Sequence, residues 1–281
     1  MKLNNEDLEA VIRTALLEDL PQGDVTSESL VSPEDRARAV FLAKEDGVLA
    51  GLDVARRVFD RIDPDVLFAD HAADGAAFRS GDILARVDGR SLSLLKAERT
   101  ALNFLQRLSG IATETRRYVL AVEGTGTKIL DTRKTTPGLR FLEKYAVRTG
   151  GGANHRFSLS DMALIKDNHL RVAGSISEAV RRVREKTGRD MRVEVEVTDP
   201  AGVREALAAG ADIIMLDNMT PDQIREAVEF VAGRVPLEVS GKITLEKARD
   251  VSRLGVDFIS VGALTHSYRS VDISLEFEDE P

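Results

Sequence analysis

The chain has 281 residues, 43% hydrophobic and 31% charged, the size and balance of a water-soluble protein with one large or two medium domains. Its 47 acids outnumber 39 Lys and Arg, and the net charge of -8 excludes a general nucleic-acid-binding face. With no Cys, disulfides, Cys-ligated zinc, iron–sulfur clusters and thiol nucleophiles are excluded; no Trp and 5% aromatics argue against stacking surfaces for bases or sugars.

The first residues, "MKLNNEDLEAVIRTALLEDL", carry acids every few positions and no apolar h-region, so they do not read as a signal peptide. Leu8, Val11, Ile12, Ala15 and Leu16 recur at helical spacing after Asn5, a candidate N-cap, and predict a helix over 5–20. "RARAVFLAKEDG" (36–47) predicts a strand running into a Gly turn, and "LDVARRVFDRI" (52–62) a helix. Short β segments punctuated by Gly follow. A long helical stretch over 91–122 comes next, with an expected break near Ser109-Gly110. No apolar run approaches the ~18 residues of a membrane span, and the expected location is cytoplasmic.

The second half changes character. "RVEVEV" (192–197), "DIIMLD" (212–217), "PLEVSG" (236–241) and "DFISVGA" (257–263) read as strands, and helical segments alternate with them. Repeated β-then-α units predict parallel strands with crossover helices. "TKILDTR" and "MALIKDNH" fit as two earlier strands of the same sheet. About six strands predict a barrel of the triosephosphate-isomerase type, incomplete, over a doubly wound sheet. No Gly-rich dinucleotide fingerprint and no Walker A motif follows any strand.

In such barrels the site lies at the carboxyl ends of the strands. Glu196, Asp217, Ser240 and Gly262 follow one another at steps of 21, 23 and 22 residues, so they are expected at one mouth. Two carboxylates on neighbouring strands suit a divalent cation or sugar hydroxyls. The turns "SGK" and "VGA" open helices whose free N–H groups suit phosphate. From Arg133 to Lys166 the chain carries seven Lys and Arg against Glu143 and Asp161, a local cation surplus inside an acidic protein. Arg133, Lys134, Arg156 and Lys166 are the expected site cations, whereas Arg140, Lys144 and Arg148, at spacing 4, are expected to line a helix face. Glu194 is expected on the opposite side of its strand from Glu196, in an ion pair. The pattern implies a phosphorylated, hydroxylated ligand and a polycarboxylate.

"DTRKTTPGLRFLEKYAVRTGGGANHRFSLSDMALIKDNH" closely resembles the quinolinate phosphoribosyltransferases, or carboxylating nicotinate-nucleotide pyrophosphorylases. "ERTALNFLQRLSGIAT" before it, and "VEVEV", "LDNM", "EVSG" and "ISVGALTHS" after it, extend the likeness over nearly the whole chain. The resemblance implies a pentosyltransferase of de novo NAD synthesis. It would join quinolinate to phosphoribosyl pyrophosphate, giving nicotinate mononucleotide, pyrophosphate and carbon dioxide. It implies an α/β fold: an N-terminal α/β sandwich (1–108 plus 270–281) and an incomplete α/β barrel (109–269), with "VDISLEFED" (271–279) as the strand returning to the sandwich.

Thr132, Arg133, His155, Arg156 and Lys166 match the family's quinolinate pocket, and Lys134 becomes the candidate for orienting the departing carboxylate. Arg99 matches an Arg given to the neighbouring subunit of a homodimer. Glu196 and Asp217 match carboxylates facing the ribose and its Mg2+, and Ser240, Gly241, Lys242, Val261, Gly262 and Ala263 match the phosphate turns. Lys242 departs from the small or neutral residue usual after "SG". Three other readings compete: an anion-binding paralogue of the kind associated with molybdate transport, a Schiff-base lyase built on Lys166, and a non-catalytic scaffold. The intact TRK, NHR and IKDNH runs favour the transferase.

Overall fold

A computed structural model describes residues 5–278; residues 1–4 and 279–281 lie outside it, including the last position of the expected returning strand. In chain order the elements are α1 (Asn5–Asp19), α2 (Val25–Leu30), β1 (Arg36–Ala43), β2 (Gly47–Val48), α3 (Leu52–Ile62), β3 (Leu67–Asp70), β4 (Ala77–Phe78), β5 (Ile83–Arg90) and α4 (Ser91–Ala121). Then come β6 (Lys128–Leu130), α5 (Arg140–Thr149), β7 (Ala163–Ile165), α6 (Asp167–Ala173), α7 (Ile176–Thr187), β8 (Val193–Val197) and α8 (Pro200–Ala208). The remainder is β9 (Ile213–Asp217), α9 (Pro221–Val231), β10 (Leu237–Ser240), α10 (Leu245–Ser252), β11 (Phe258–Ser260), α11 (Ala263–His266) and β12 (Ile273–Phe277).

The chain divides into two compact units. The first holds the residues up to Arg116, Thr136–Gly151 and those from Tyr268 on. Its antiparallel sheet runs in the order β12-β1-β5-β3, with Ala39 opposite Phe277 and Phe41 opposite Leu275. The apolar, β-branched 271–277 segment thus returns to the N-terminal sheet as its pattern predicts. Phe41, Phe59 and Phe68 meet with ring centroids 5.7–5.9 Å apart, and α3 buries Leu52, Val54, Ala55, Val58 and Phe59. Helix α1 buries Leu8, Ile12 and Leu16, three of the five apolar positions that predicted it.

Helix α4 runs unbroken for 31 residues, so the break expected at Ser109-Gly110 does not occur. Gly110 is there for room: a Cβ on it would overlap the Arg269 carbonyl and press on Ser270. Ser109 Oγ accepts the Ala50 N–H at 3.1 Å. The expected domain boundary at residue 108 therefore falls inside one helix, and α5 packs with the first unit.

The second unit, Arg117–Thr135 and Gly152–Ser267, is built on a six-stranded parallel sheet in the order β6-β11-β10-β9-β8-β7. Its registers step regularly: Glu196 opposite Met215, Ser240 opposite Asp217, Ser260 opposite Leu130. The edge strands β6 and β7 do not pair; one isolated bridge, Leu130 to Ala153, lies beside β6. The barrel is open, as expected. Its helices begin on N-caps: Ser175, Asp199, Thr220 and Thr244 each accept a backbone N–H of the first turn, and Pro200 and Pro221 occupy first-turn positions. Equal β-cap-α modules explain the near-constant steps between strand ends.

Candidate active site

At the carboxyl ends of these strands lies a cleft of about 760 Å³, lined wholly by the second unit. It brings together Thr132, Arg133, Lys134, His155, Arg156, Lys166, Glu196, Asp217, Ser240, Gly241, Lys242, Gly262 and Ala263, most of the residues expected from sequence. Val261 does not line it and is buried, 1% exposed. Arg99 is exposed on α4 in the first unit. Arg140, Lys144 and Arg148 form one side of α5, also in the first unit, with Lys144 buried. The seven-cation surplus therefore divides into four residues on the cleft and three on a helix, as their spacing suggested.

The cation side is assembled from three chain segments. After β6, the Thr132 hydroxyl accepts the Lys134 N–H at 3.0 Å, and the Lys134 carbonyl accepts from Thr265 Oγ1 at 2.9 Å. Gly262 leaves space here: a Cβ on it would lie 3.0 Å from Lys134 Cδ and 3.2 Å from the His266 ring. The Asn154–Arg156 segment is pinned by buried Asp131, which accepts from Asn154 Nδ2 at 2.5 Å and the His155 N–H at 2.9 Å. Arg156 donates to the Met162 carbonyl at 2.8 Å. Burial, and then the nearby Arg133, pull its guanidinium below the ordinary arginine value. Two crowded, partly desolvated guanidiniums are an arrangement that a dianionic ligand relieves. Lys166 follows β7 as the N-cap of α6, and its Nζ sits 3.3 Å from Glu196 Oε2; its N–H donates to His169 Nδ1 at 2.9 Å, so His169 supports the Lys166 backbone.

The opposite side is backbone and carboxylate. Asn218 is left-handed, φ 53°; its N–H donates to the Ser240 carbonyl at 3.1 Å and its amide to Asp217 Oδ2 at 2.8 Å. Gly241 has φ 100°, and a Cβ on it would overlap the Asn218 side chain. Lys242 follows with φ 47°, a region that costs an ordinary residue about 1–2 kcal/mol. Lys247 Nζ donates to the Gly241 carbonyl at 2.7 Å and holds the turn open. This is a tight small-residue turn suited to the close approach of phosphate oxygens.

Glu194 requires a correction. Residues two apart on a strand share a face, so Glu194 points the same way as Glu196, one layer deeper. It is fully buried, with Oε2 3.0 Å from His155 Nε2. Glu238, from β10, reaches the same nitrogen at 3.6 Å and lines the floor of the cleft. Glu238, Ser260 and His266 also line the cleft, and none was singled out as a site residue beforehand; Asn218, expected beside Asp217 at its strand end, lines it too. A signal for the first existed: a carboxylate in "PLEVSG" between Leu237 and Val239, inside a buried strand.

An open α/β barrel whose mouth sets clustered cations against paired carboxylates and glycine turns defines an enzyme of phosphorylated, polyanionic substrates. The family model for the quinolinate phosphoribosyl transferase N-terminal domain matches residues 24–109, and that for the C-terminal domain residues 111–276. A probable carboxylating nicotinate-nucleotide pyrophosphorylase of Bacillus subtilis is 44% identical over 274 residues, 98% of this chain and 94% of its own. A chloroplastic relative of Arabidopsis thaliana is 42% identical over 98% of this chain and 84% of its own. The crystal structure of NadC from Streptococcus pyogenes superposes with a TM-score of 0.95 at 44% identity, covering 99% of this chain and 100% of that one. The chain belongs to the quinolinate phosphoribosyltransferase family.

Proposed function

We propose that the protein transfers the phosphoribosyl group of phosphoribosyl pyrophosphate to quinolinate, releasing pyrophosphate and carbon dioxide and yielding nicotinate mononucleotide for de novo NAD synthesis. The observation that carries this reading is the single cleft in which Arg133, Lys134, Arg156 and Lys166 face Glu196, Asp217 and the 240–242 turn.

Arg133, Arg156 and Lys166 bind the two pyridine carboxylates and hold the ring nitrogen toward the sugar. The backbone N–H groups of 240–242, with the Gly262-Ala263 turn, take the phosphates. As the bond from C1 to pyrophosphate lengthens, positive charge grows on the ribose, and Glu196 and Asp217 stabilise it electrostatically. The pyridine nitrogen attacks C1. The electron pair left when the 2-carboxylate departs stays on C2, stabilised by the adjacent quaternary nitrogen and later taken up by a proton, with Lys134 orienting the departing group. His155 has its Nδ1 taken by the Arg156 N–H at 2.8 Å and its Nε2 turned to Glu194, so it serves the site by fixing Arg156.

Mg2+ is the expected cofactor. Glu196 and Asp217 offer hard oxygen donors beside a phosphate turn, a fitting set for a magnesium that arrives with its phosphorylated substrate. When bound, it supplies charge neutralisation for the leaving pyrophosphate. Glu196 already pairs with Lys166, which favours its acting through water or substrate. We further propose a cytoplasmic homodimer in which exposed Arg99 enters the neighbouring active site. Among the described residues, no helix is long and apolar enough to cross a membrane.

The test is release of labelled carbon dioxide from carboxyl-labelled quinolinate, with phosphoribosyl pyrophosphate and magnesium, by the parent and by Lys134→Ala. Release that requires every component and collapses in the variant is expected. A folded parent that releases none sinks the assignment.

A further inference from the structure

We propose that Glu238 is the acid that protonates C2 of the pyridinium as its carboxylate leaves, with Glu194 and His155 holding it ready; the inference rests on the decarboxylating reaction above. That reaction needs one proton per turnover at the carbon that loses carbon dioxide, and none of the roles assigned so far supplies it.

The geometry begins with His155. Its Nδ1 accepts the Arg156 N–H at 2.8 Å, so in the neutral ring the proton sits on Nε2. Nε2–H then points at two buried carboxyl groups, Glu194 Oε2 at 3.0 Å and Glu238 Oε2 at 3.6 Å. The same tautomer removes the Nε2 lone pair. His155, Glu194 and Glu238 therefore cannot chelate a cation through that nitrogen, although their ligand atoms lie within 4.8 Å of one another.

A single N–H cannot stabilise two buried carboxylates, and a close pair of them retains a proton. The nearer one, Glu194, keeps the imidazole bond. Glu238 holds the proton. Its side chain is 2% exposed, its Oε1 has no hydrogen-bond partner among the described residues, and it lines the cleft floor beside the Ser260 hydroxyl. Burial first, and then the nearby Glu194 carboxyl, push the Glu238 carboxyl up to about 8, so at neutral pH it holds its proton and is uncharged. The groups facing it are Glu194 from β8, His155 from the segment after α5 and Ser260 from β11; Arg156 and Lys166 lie nearer Glu194.

The step balances. The C2–carboxylate bond breaks, carbon dioxide leaves, and the electron pair stays on C2 beside the quaternary nitrogen. A C2–H bond forms as the Glu238 O–H bond breaks, leaving a second carboxylate on the floor. Water entering the emptied cleft returns the proton. Capture of the pair before carbon dioxide recombines makes its departure irreversible, so the donor affects turnover.

Glu238→Gln keeps the shape and removes the dissociable proton; Glu238→Asp keeps an acid at reduced reach. With quinolinate, phosphoribosyl pyrophosphate and magnesium, Glu238→Gln should lose about 100-fold in kcat, the scale of a positioned general acid. Both KM values should stay within about threefold, and the alkaline fall of kcat near pH 8 should vanish. Glu238→Asp should recover part of the rate and keep the alkaline fall. A Glu238→Gln enzyme with parental kcat and pH profile overturns the proposal. So does a rise confined to the quinolinate KM, which would make Glu238 only a support for His155 and Arg156. A parent that releases no carbon dioxide would instead indict the reaction itself.

Discussion

Two buried carboxyl groups, one in each unit, show opposite treatments of the same chemistry. Asp63, at the end of α3, accepts from Arg90 Nε at 2.9 Å and Nη2 at 3.0 Å, from Ser93 Oγ at 2.7 Å and from the Asp65 N–H at 3.1 Å. The Arg90 bonds, first among these, hold it down at about 2. Glu238 is no more exposed, yet it faces another carboxyl group and keeps an oxygen without a partner among the described residues; burial holds it up at about 8. In the first unit, Asp63 has both carboxylate oxygens bonded. The second leaves polar capacity unspent at the floor of its cleft, where a ligand or a proton can use it.

The contrast can be broken or sharpened by substitution. The largest expected effect is on the cleft: Arg156→Ala should cut kcat/KM for quinolinate by about 1000-fold, since it strips one side of a desolvated charge pair. Its thermal midpoint should stay near that of the parent, measured by calorimetry; a collapse of stability without loss of specific activity would reverse the two roles. In the first unit, Asp63→Ala should cost about 1–2 kcal/mol in urea unfolding, by taking the acceptor from the Ser93 hydroxyl and the Asp65 N–H and releasing Arg90 to water, while kcat per folded molecule stays unchanged.

Smaller, but sharper, is the pH dependence. Asp63 has a lowered value, so its stabilisation is full above the ordinary 3.8 and is lost as pH falls through about 2. Glu238 has a raised value, so its stabilisation is full below the ordinary 4.5 and is lost as pH rises through about 8. Urea midpoints of Glu238→Gln should therefore gain on the parent between pH 5 and 8, and a constant difference would refute the buried acid. The smallest effect belongs to Lys242→Gly: relief of the left-handed backbone against the entropy of Gly should shift stability by less than about 1 kcal/mol. A large rise in the KM for phosphoribosyl pyrophosphate would show instead that the Lys242 side chain touches phosphate.

Much of this was legible in sequence because the second unit is modular. Each strand end is set by an apolar run, a polar stop and a capped helix, so the 196, 217, 240 and 262 positions announce one mouth. The N-terminal sheet was readable from β1, α3 and the alternation of 271–277. What failed depended on packing at a distance. Gly110 looks like a helix breaker until the Arg269 backbone is seen lying against it. Glu194 was placed on the wrong face by counting, and its partners, His155 and Glu238, are 39 and 44 residues away in the chain. The left-handed turn at Lys242 also had no local signature, because Lys, unlike the Asn at 218, has no preference for that region.

The interlock of Asn218 with Gly241 carries a consequence for inheritance. One turn ends β9 and the other ends β10, yet the Asn218 side chain fills the volume that any Cβ at 241 would need. A lineage that replaces Gly241 must therefore first shrink or turn residue 218, and in doing so it releases the amide from Asp217. The two positions should vary together across descendants of this chain, each change alone being selected against, so that the phosphate turn and the carboxylate are passed on as a single heritable unit.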